Sequence, residues 1–176
     1  MRIPVAVAAP VLLVATAFAS APPDVPSTAG GVRWTVPSAW TSGKTTPMRV
    51  ATYAVPAAKG QDPGECTVFF FGHGEGGGVE ENVARWGKQF EGAPKPAARQ
   101  ELVAGMRVTR AEVAGTYLAP GGPMMQSTAK KTGYRLLGAI VEAPQGNVFL
   151  KLTGPAATVS SAQAQFDALV ASIRKQ

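Results

Sequence analysis

At 176 residues, 45% of them hydrophobic, the chain suffices for one domain with a proper core and is too short for two ordinary ones. Its 17 Lys and Arg against 11 Asp and Glu give a formal charge of +6, a modest basic bias that favours anionic surfaces by long-range attraction. The cations are scattered singly apart from Lys130 with Lys131 and Arg174 with Lys175, so no basic stripe of the kind that tracks a nucleic acid exists, and nucleic acid is excluded as a partner.

Residues 1–21 pair a positive start at Arg2 with an apolar run from Ile3 to Phe18 and small residues at Ala17, Ala19 and Ala21, the pattern of a cleaved secretory leader. The run carries Pro4 and Pro10 and falls short of the roughly 20 apolar residues of a spanning helix. The expectation is therefore a secreted or periplasmic chain, cut near Ala19 to Ala21, with no transmembrane segment in its mature form. Cys66 is the sole cysteine, so no internal disulfide can form and the fold rests on its core. Residues 22–31, rich in Pro, Gly, Ser and Thr, read as a flexible lead, and 32–176 as a single domain.

Within that domain Val32, Trp34 and Val36 alternate with polar neighbours as in a half-buried strand that Pro37 ends, and Trp40 follows in a turn as a plug for the core. Met48 to Val55 alternates again and is β-rich. Thr67 to Phe71 is apolar on both faces, as in a central strand covered on each side. A glycine-rich turn then leads into a helix, where Val79, Val83, Trp86 and Phe90 fall on one stripe and Glu80 and Glu81 occupy the first turn, before Gly92 and Pro94 stop it. Gln100 to Val103 and Met106 to Val113 read as a hairpin, with Tyr117 continuing the sheet. Leu118 to Thr132 has no period and reads as a long loop, a place where function often sits. Tyr134 to Ala143 and Val148 to Thr153 are strands about a turn, and Ser160 to Arg174 is a closing helix, with Ser160 and Gln163 spaced as a capping box. Five to seven strands with two helices describe an α+β fold, a mainly antiparallel sheet sandwiched by helices.

Gly72, Gly74 and Gly77 spell GxGxxG between a strand and a helix, the arrangement that holds a pyrophosphate on backbone N–H groups. Glu80 and Glu81 already fill the electropositive end of that helix, and the strands downstream come as hairpins rather than the parallel crossovers of a dinucleotide fold. No Lys follows the glycines, which excludes a Walker loop. Cys66 and His73 stand an odd number of residues apart along an extended strand, on opposite faces, so they do not pair as nucleophile and base. His73, Glu75, Glu80 and Glu81 concentrate metal-capable side chains without the His and Cys numbers of a zinc site, and neither a metal nor another cofactor is assigned. The candidate ligand-binding residues are His73, Gly74, Glu75, Gly76, Gly77 and Gly78 on the glycine turn, with Lys130 and Lys131 on the long loop. No catalytic residue is assigned.

The segments VRWTVPSAW, RWGKQF, GAIVEAPQGNVFLKLTGPAATV and FDALVASI together resemble the PsbP-like fold, shared by an extrinsic photosystem II subunit, the Mog-like Ran-binding protein and a group of exported bacterial proteins. Pro37 and Trp40 match the family's LPxGW opening in spacing, and Thr153 to Pro155 match its TGP before the last helix. The likeness spans Val32 to Ile173. It implies an antiparallel sheet between helical layers and binding roles rather than catalysis; the glycine block departs from the photosystem subunit, so no role in photosynthesis follows. The function expected is an exported, non-enzymatic binding or accessory module with a protein or small-molecule partner in the cell envelope. Two other readings stand beside it: a small metal-assisted hydrolase using the His73 and Glu75 loop, and a basic structural protein of the envelope.

Overall fold

The computed structural model describes residues 27–46, 49–119 and 129–176; the leader expected over 1–21 and most of the lead lie outside the described residues. Among the described residues the chain runs β1 (Thr28–Ala29), β2 (Val32–Arg33), β3 (Thr41–Ser42), β4 (Arg49–Val55), β5 (Gly64–Phe70), α1 (Val79–Gly87), β6 (Ala97–Val103), β7 (Met106–Ala119), β8 (Ala129–Ala143), β9 (Gly146–Pro155), α2 (Ala156–Ala171) and β10 (Arg174–Lys175). Seven strands make one antiparallel sheet in the order β3-β4-β5-β9-β8-β7-β6, and β1, β2 and β10 make a small second one. The α+β fold read from the sequence is the fold observed, with β5 inside the sheet.

Several boundaries move. Thr28 and Ala29, placed in the lead by composition, pair with Arg33 and Val32, while Arg174 and Lys175 pair with the other edge of β2. Residues 118–119 and 129–132, read as loop, instead extend β7 and β8, with Tyr117, Leu118 and Ala119 opposite Lys131, Lys130 and Ala129. They lack an apolar period because few of their side chains enter a core: Lys130, Lys131 and Thr132 are exposed. The rest of that long loop, 120–128, lies outside the described residues. Helix α2 starts at Ala156, directly after Pro155, and the expected capping box does not form. Ser160 Oγ and Gln163 Oε1 accept hydrogen bonds from Arg135 instead, each at 2.9 Å.

One face of the sheet is covered by α2, whose Val159, Phe166, Leu169 and Val170 are buried against Tyr53, Cys66, Val68, Ala139, Leu150 and Leu152. Each such side chain contributes about 1.5–3 kcal/mol, so packing holds this uncapped helix. Trp34 and Trp40 close the end of the core, their indole N–H groups donating to Tyr53 Oη at 2.8 Å and Gln165 Oε1 at 2.7 Å.

The opposite face is covered by α1, which is shorter than its apolar stripe. It ends at Gly87, where a Cβ would lie 2.4 Å from the Pro94 carbonyl, so the chain folds back there; Phe90 still packs, as a bridge to Tyr117. The main anchor of α1 is Trp86, whose ring occupies the place of a side chain at Gly138 on β8: a Cβ there would come within 2.1 Å of it. Replacing Gly138 by Ala should therefore cost about 2–3 kcal/mol in urea unfolding, because ring and sheet must separate. Gly78→Ala, where a Cβ meets nothing within 4 Å, should stay within about 0.5 kcal/mol of wild type.

Candidate functional site

The half of this face that α1 leaves open can be built from register alone. Across β4, β5, β9 and β8 run three rows of side chains: Arg49, Phe69, Phe149 and Ile140; then Thr52, Thr67, Lys151 and Gly138; then Ala54, Glu65, Thr153 and Leu136. Towards β8 and β9 the first row is apolar and packs under α1. Away from the helix the rows turn polar, as a water-facing surface requires. The bulge between Arg49 and Ala51 matters here: it puts Arg49 on the same face as Thr52, three residues away, where an unbroken strand would set them on opposite faces. Arg49 accordingly lies over the Phe69 ring at 5.8 Å and pairs with Glu65 at 3.1 Å.

These rows floor a groove of about 660 Å³, within the range of small-molecule sites. Its charged lining is Lys44, Arg49, Lys131 and Lys151 against the single carboxylate of Glu65. One wall is aromatic: Tyr117 and Tyr134 stack at 5.8 Å, with the Lys131 ammonium 5.3 Å from the Tyr134 ring. Burial raises the pKa of Tyr117, which keeps that wall uncharged.

Lys151 is the centre of the groove's chemistry. Its ammonium donates to Gln89 Oε1 at 3.2 Å and has no ion-pair partner among the described residues. Burial pushes its pKa down to about 8; the positive charge of Arg49 adds to this and Glu65 opposes it. Beside it, the hydroxyls of Thr52 and Thr153 are buried without a hydrogen-bond partner, Thr52 being 4% exposed, whereas Thr67 donates to the Lys151 carbonyl at 3.4 Å. An ammonium without a counter-ion among the described residues and two threonines with buried, unpaired hydroxyls thus line one cavity.

Other concavities lack this combination. A cavity of about 230 Å³ beside α2 contains Arg110, but its guanidinium is satisfied by Glu101 at 2.7 Å and Asp167 at 3.2 Å and lies over Phe166. Those bonds from Arg110 hold the Glu101 carboxyl below its ordinary range. A depression of about 720 Å³ between α1 and β6 includes the unpartnered Thr109 hydroxyl and no buried charge.

The residues singled out from the sequence fall at two ends of the sheet. The glycine turn follows β5 next to the start of β9, where a Cβ on Gly146 would strike the Gly72 carbonyl at 2.6 Å, whereas Lys131 lies beyond Tyr134, which pairs with Pro155 at the far end of β9. Nine residue steps of β9, from Gly146 to Pro155, separate the two, about 30 Å. His73, Gly74, Glu75, Gly77 and Gly78 are exposed, and among the described residues no three His, Cys, Asp or Glu side chains gather to hold a metal. Backbone geometry accounts for Gly76, which has φ +87° and where a Cβ would lie 2.6 Å from Phe71, but not for Gly78, around which a Cβ meets nothing within 4 Å. Buried Asn82 donates to the Gly76 and Gly78 carbonyls at 2.8 Å each, tying the turn to α1. Lys130 forms an ion pair with Glu91, while Lys131 lines the groove. Cys66 is wholly buried in the α2 core, which pushes its thiol pKa up and keeps it unreactive.

Comparison with solved structures places this architecture. The chain is similar to the solution structure of the cyanobacterial PsbP (CyanoP) from Synechocystis, with a TM-score of 0.52 and 9% identity over 84% of this chain and 88% of that one. The fold is PsbP-like. No protein-family model and no curated protein matches the sequence. Within the PsbP-like fold, the groove residues missed by sequence reasoning are Arg49, Thr52, Lys151 and Thr153; the available signal was a lysine set between Leu150 and Leu152 in an otherwise apolar strand.

The charge on Lys151 costs native stability, since the folded chain holds its proton less tightly than the unfolded one. Replacing it by Met keeps the stem and should raise the unfolding free energy by about 1–3 kcal/mol near neutral pH. Above pH of about 8 the native chain has released the proton while the unfolded chain still binds it, so wild-type stability gains with pH from this group. The advantage of Lys151→Met should therefore shrink between pH of about 7 and about 9.5, which paired urea titrations check.

Proposed function

We propose that the chain is an exported, non-enzymatic binding or accessory module of the cell envelope, which takes its ligand or a partner's short segment into the groove on the open half of its sheet. The observation that carries this reading is the groove itself, a concave cationic surface with an ammonium that has no ion-pair partner among the described residues and two hydroxyls without hydrogen-bond partners. The leader-like pattern of residues 1–21 supports export, and among the described residues no helix is long and apolar enough to cross a membrane. The resemblance to PsbP-like proteins points the same way, towards binding rather than catalysis.

Ala54 lines the groove and is exposed, so Ala54→Trp fills the space without removing a charge or a core contact. The chain, incubated with a soluble envelope extract and examined by native mass spectrometry, should carry an adduct in the wild-type form and none in folded Ala54→Trp. Equal adducts in both, or none in either, would contradict the proposal.

A further inference from the structure

We infer that the groove is an oxyanion site, in which Lys151 and Arg49, with the hydroxyls of Thr52 and Thr153, receive the phosphate or carboxylate group of a small molecule. This rests on the reading of the groove as the binding surface and adds the class of ligand. Three independent features select an anion. The lining charge is four cations to one carboxylate, and that carboxylate, Glu65, is already engaged by Arg49 at 3.1 Å. The Lys151 ammonium has three donors and uses one, on Gln89, so two remain for an acceptor. The Thr52 and Thr153 hydroxyls, buried without partners in adjacent rows on β4 and β9 with β5 between them, have donors to give as well; buried polar groups left this way are costly unless a ligand satisfies them.

A cation would meet the same surface with repulsion from Lys44, Arg49, Lys131 and Lys151, and a wholly apolar ligand would leave Lys151 desolvated without compensation. An oxyanion removes both costs through charge-assisted hydrogen bonds. The groove is larger than a bare phosphate, and the Tyr117 and Tyr134 wall supplies apolar surface for the remainder of the molecule. Of the charged and titratable groups that share the groove with Lys151, namely Arg49 from β4, Glu65 from β5, Tyr117 from β7, Lys131 and Tyr134 from β8 and Lys44 at the rim, Arg49 and Glu65 act on its titration. A bound anion opposes the cations, so the Lys151 proton is held to higher pH in the complex, and above pH of about 8 binding takes up a proton.

Calorimetric titration of the chain at low ionic strength with inorganic phosphate and, separately, with succinate tests this and tells a phosphate group from a carboxylate. Saturable uptake of at least one is expected, with chloride at equal ionic strength giving none. Lys151→Met should weaken it at least about tenfold and the double variant Thr52→Val, Thr153→Val several-fold, while Glu65→Gln, which frees Arg49, should strengthen it. Affinity should fall by up to about tenfold per pH unit above about pH 8, and this slope should vanish in Lys151→Met. Because Lys151→Met is expected to fold at least as well as wild type, unchanged affinity in that variant overturns the inference. So does absence of uptake of both anions by the wild type; if the groove-dependent adduct survives that result, the binding reading stands with another ligand class, and if it is also absent both readings fall.

Discussion

The seat of Trp86 on Gly138 is the contact on which the arrangement of this molecule depends. It fixes α1 at one place on the sheet, and α1 is too short to cover the remainder. Nine residues make a helix about 13 Å long, whereas seven strands span about 29 Å. The other face carries the 16 residues of α2, about 24 Å, with β2 and the two tryptophans closing its end. One sheet therefore has one face covered over its central strands by α2 and another half-covered by α1, and the groove lies where α1 gives no cover.

That open half is polar for a reason internal to the fold. Strand alternation sends Cys66 and Val68, or Leu150 and Leu152, into the α2 core, and so forces Thr67 and Lys151 to the other side. Near α1 that side is filled by Phe149 and Ile140. Beyond the helix nothing apolar among the described residues covers it, and threonines, Arg49 and Glu65 take over. Lys151 lies at the boundary, with its stem next to the helix-covered core and its ammonium reaching Gln89 just past the end of α1. An ammonium so placed carries its charge at a cost to folding.

The fold was legible in the sequence because its elements are local: the alternation of Met48 to Val55, the stripe from Val79 to Trp86 and the closing helix with Phe166 and Leu169 are visible within short windows. The site was not, because it is made by register. Thr52, Thr67 and Lys151 become neighbours through pairings 15 and 84 residues apart in the chain, and the bulge that turns Arg49 towards them leaves no local sign. The glycine turn drew attention for the opposite reason: it is conspicuous locally, yet Gly76 answers to Phe71 and Phe149 and Gly77 to Glu81 and Asn82. Lys130 and Lys131 looked like a loop tip because an edge of sheet with exposed side chains has no apolar period; only the pairing with Leu118 and Tyr117 reveals the strand. The Ser160 and Gln163 spacing was genuine but served Arg135, since Pro155 had already set the start of the helix.

Lys151 is an incompletely satisfied ammonium in an open groove, and an oxyanion is its proposed ligand. The most direct measurement is an NMR titration of the Lys151 side chain in the isotope-labelled protein, without and with inorganic phosphate or succinate. The account predicts a midpoint near pH 8 in the free protein and a rise towards the ordinary lysine range when the anion is present. A midpoint already in the ordinary range, unmoved by either anion, would contradict it.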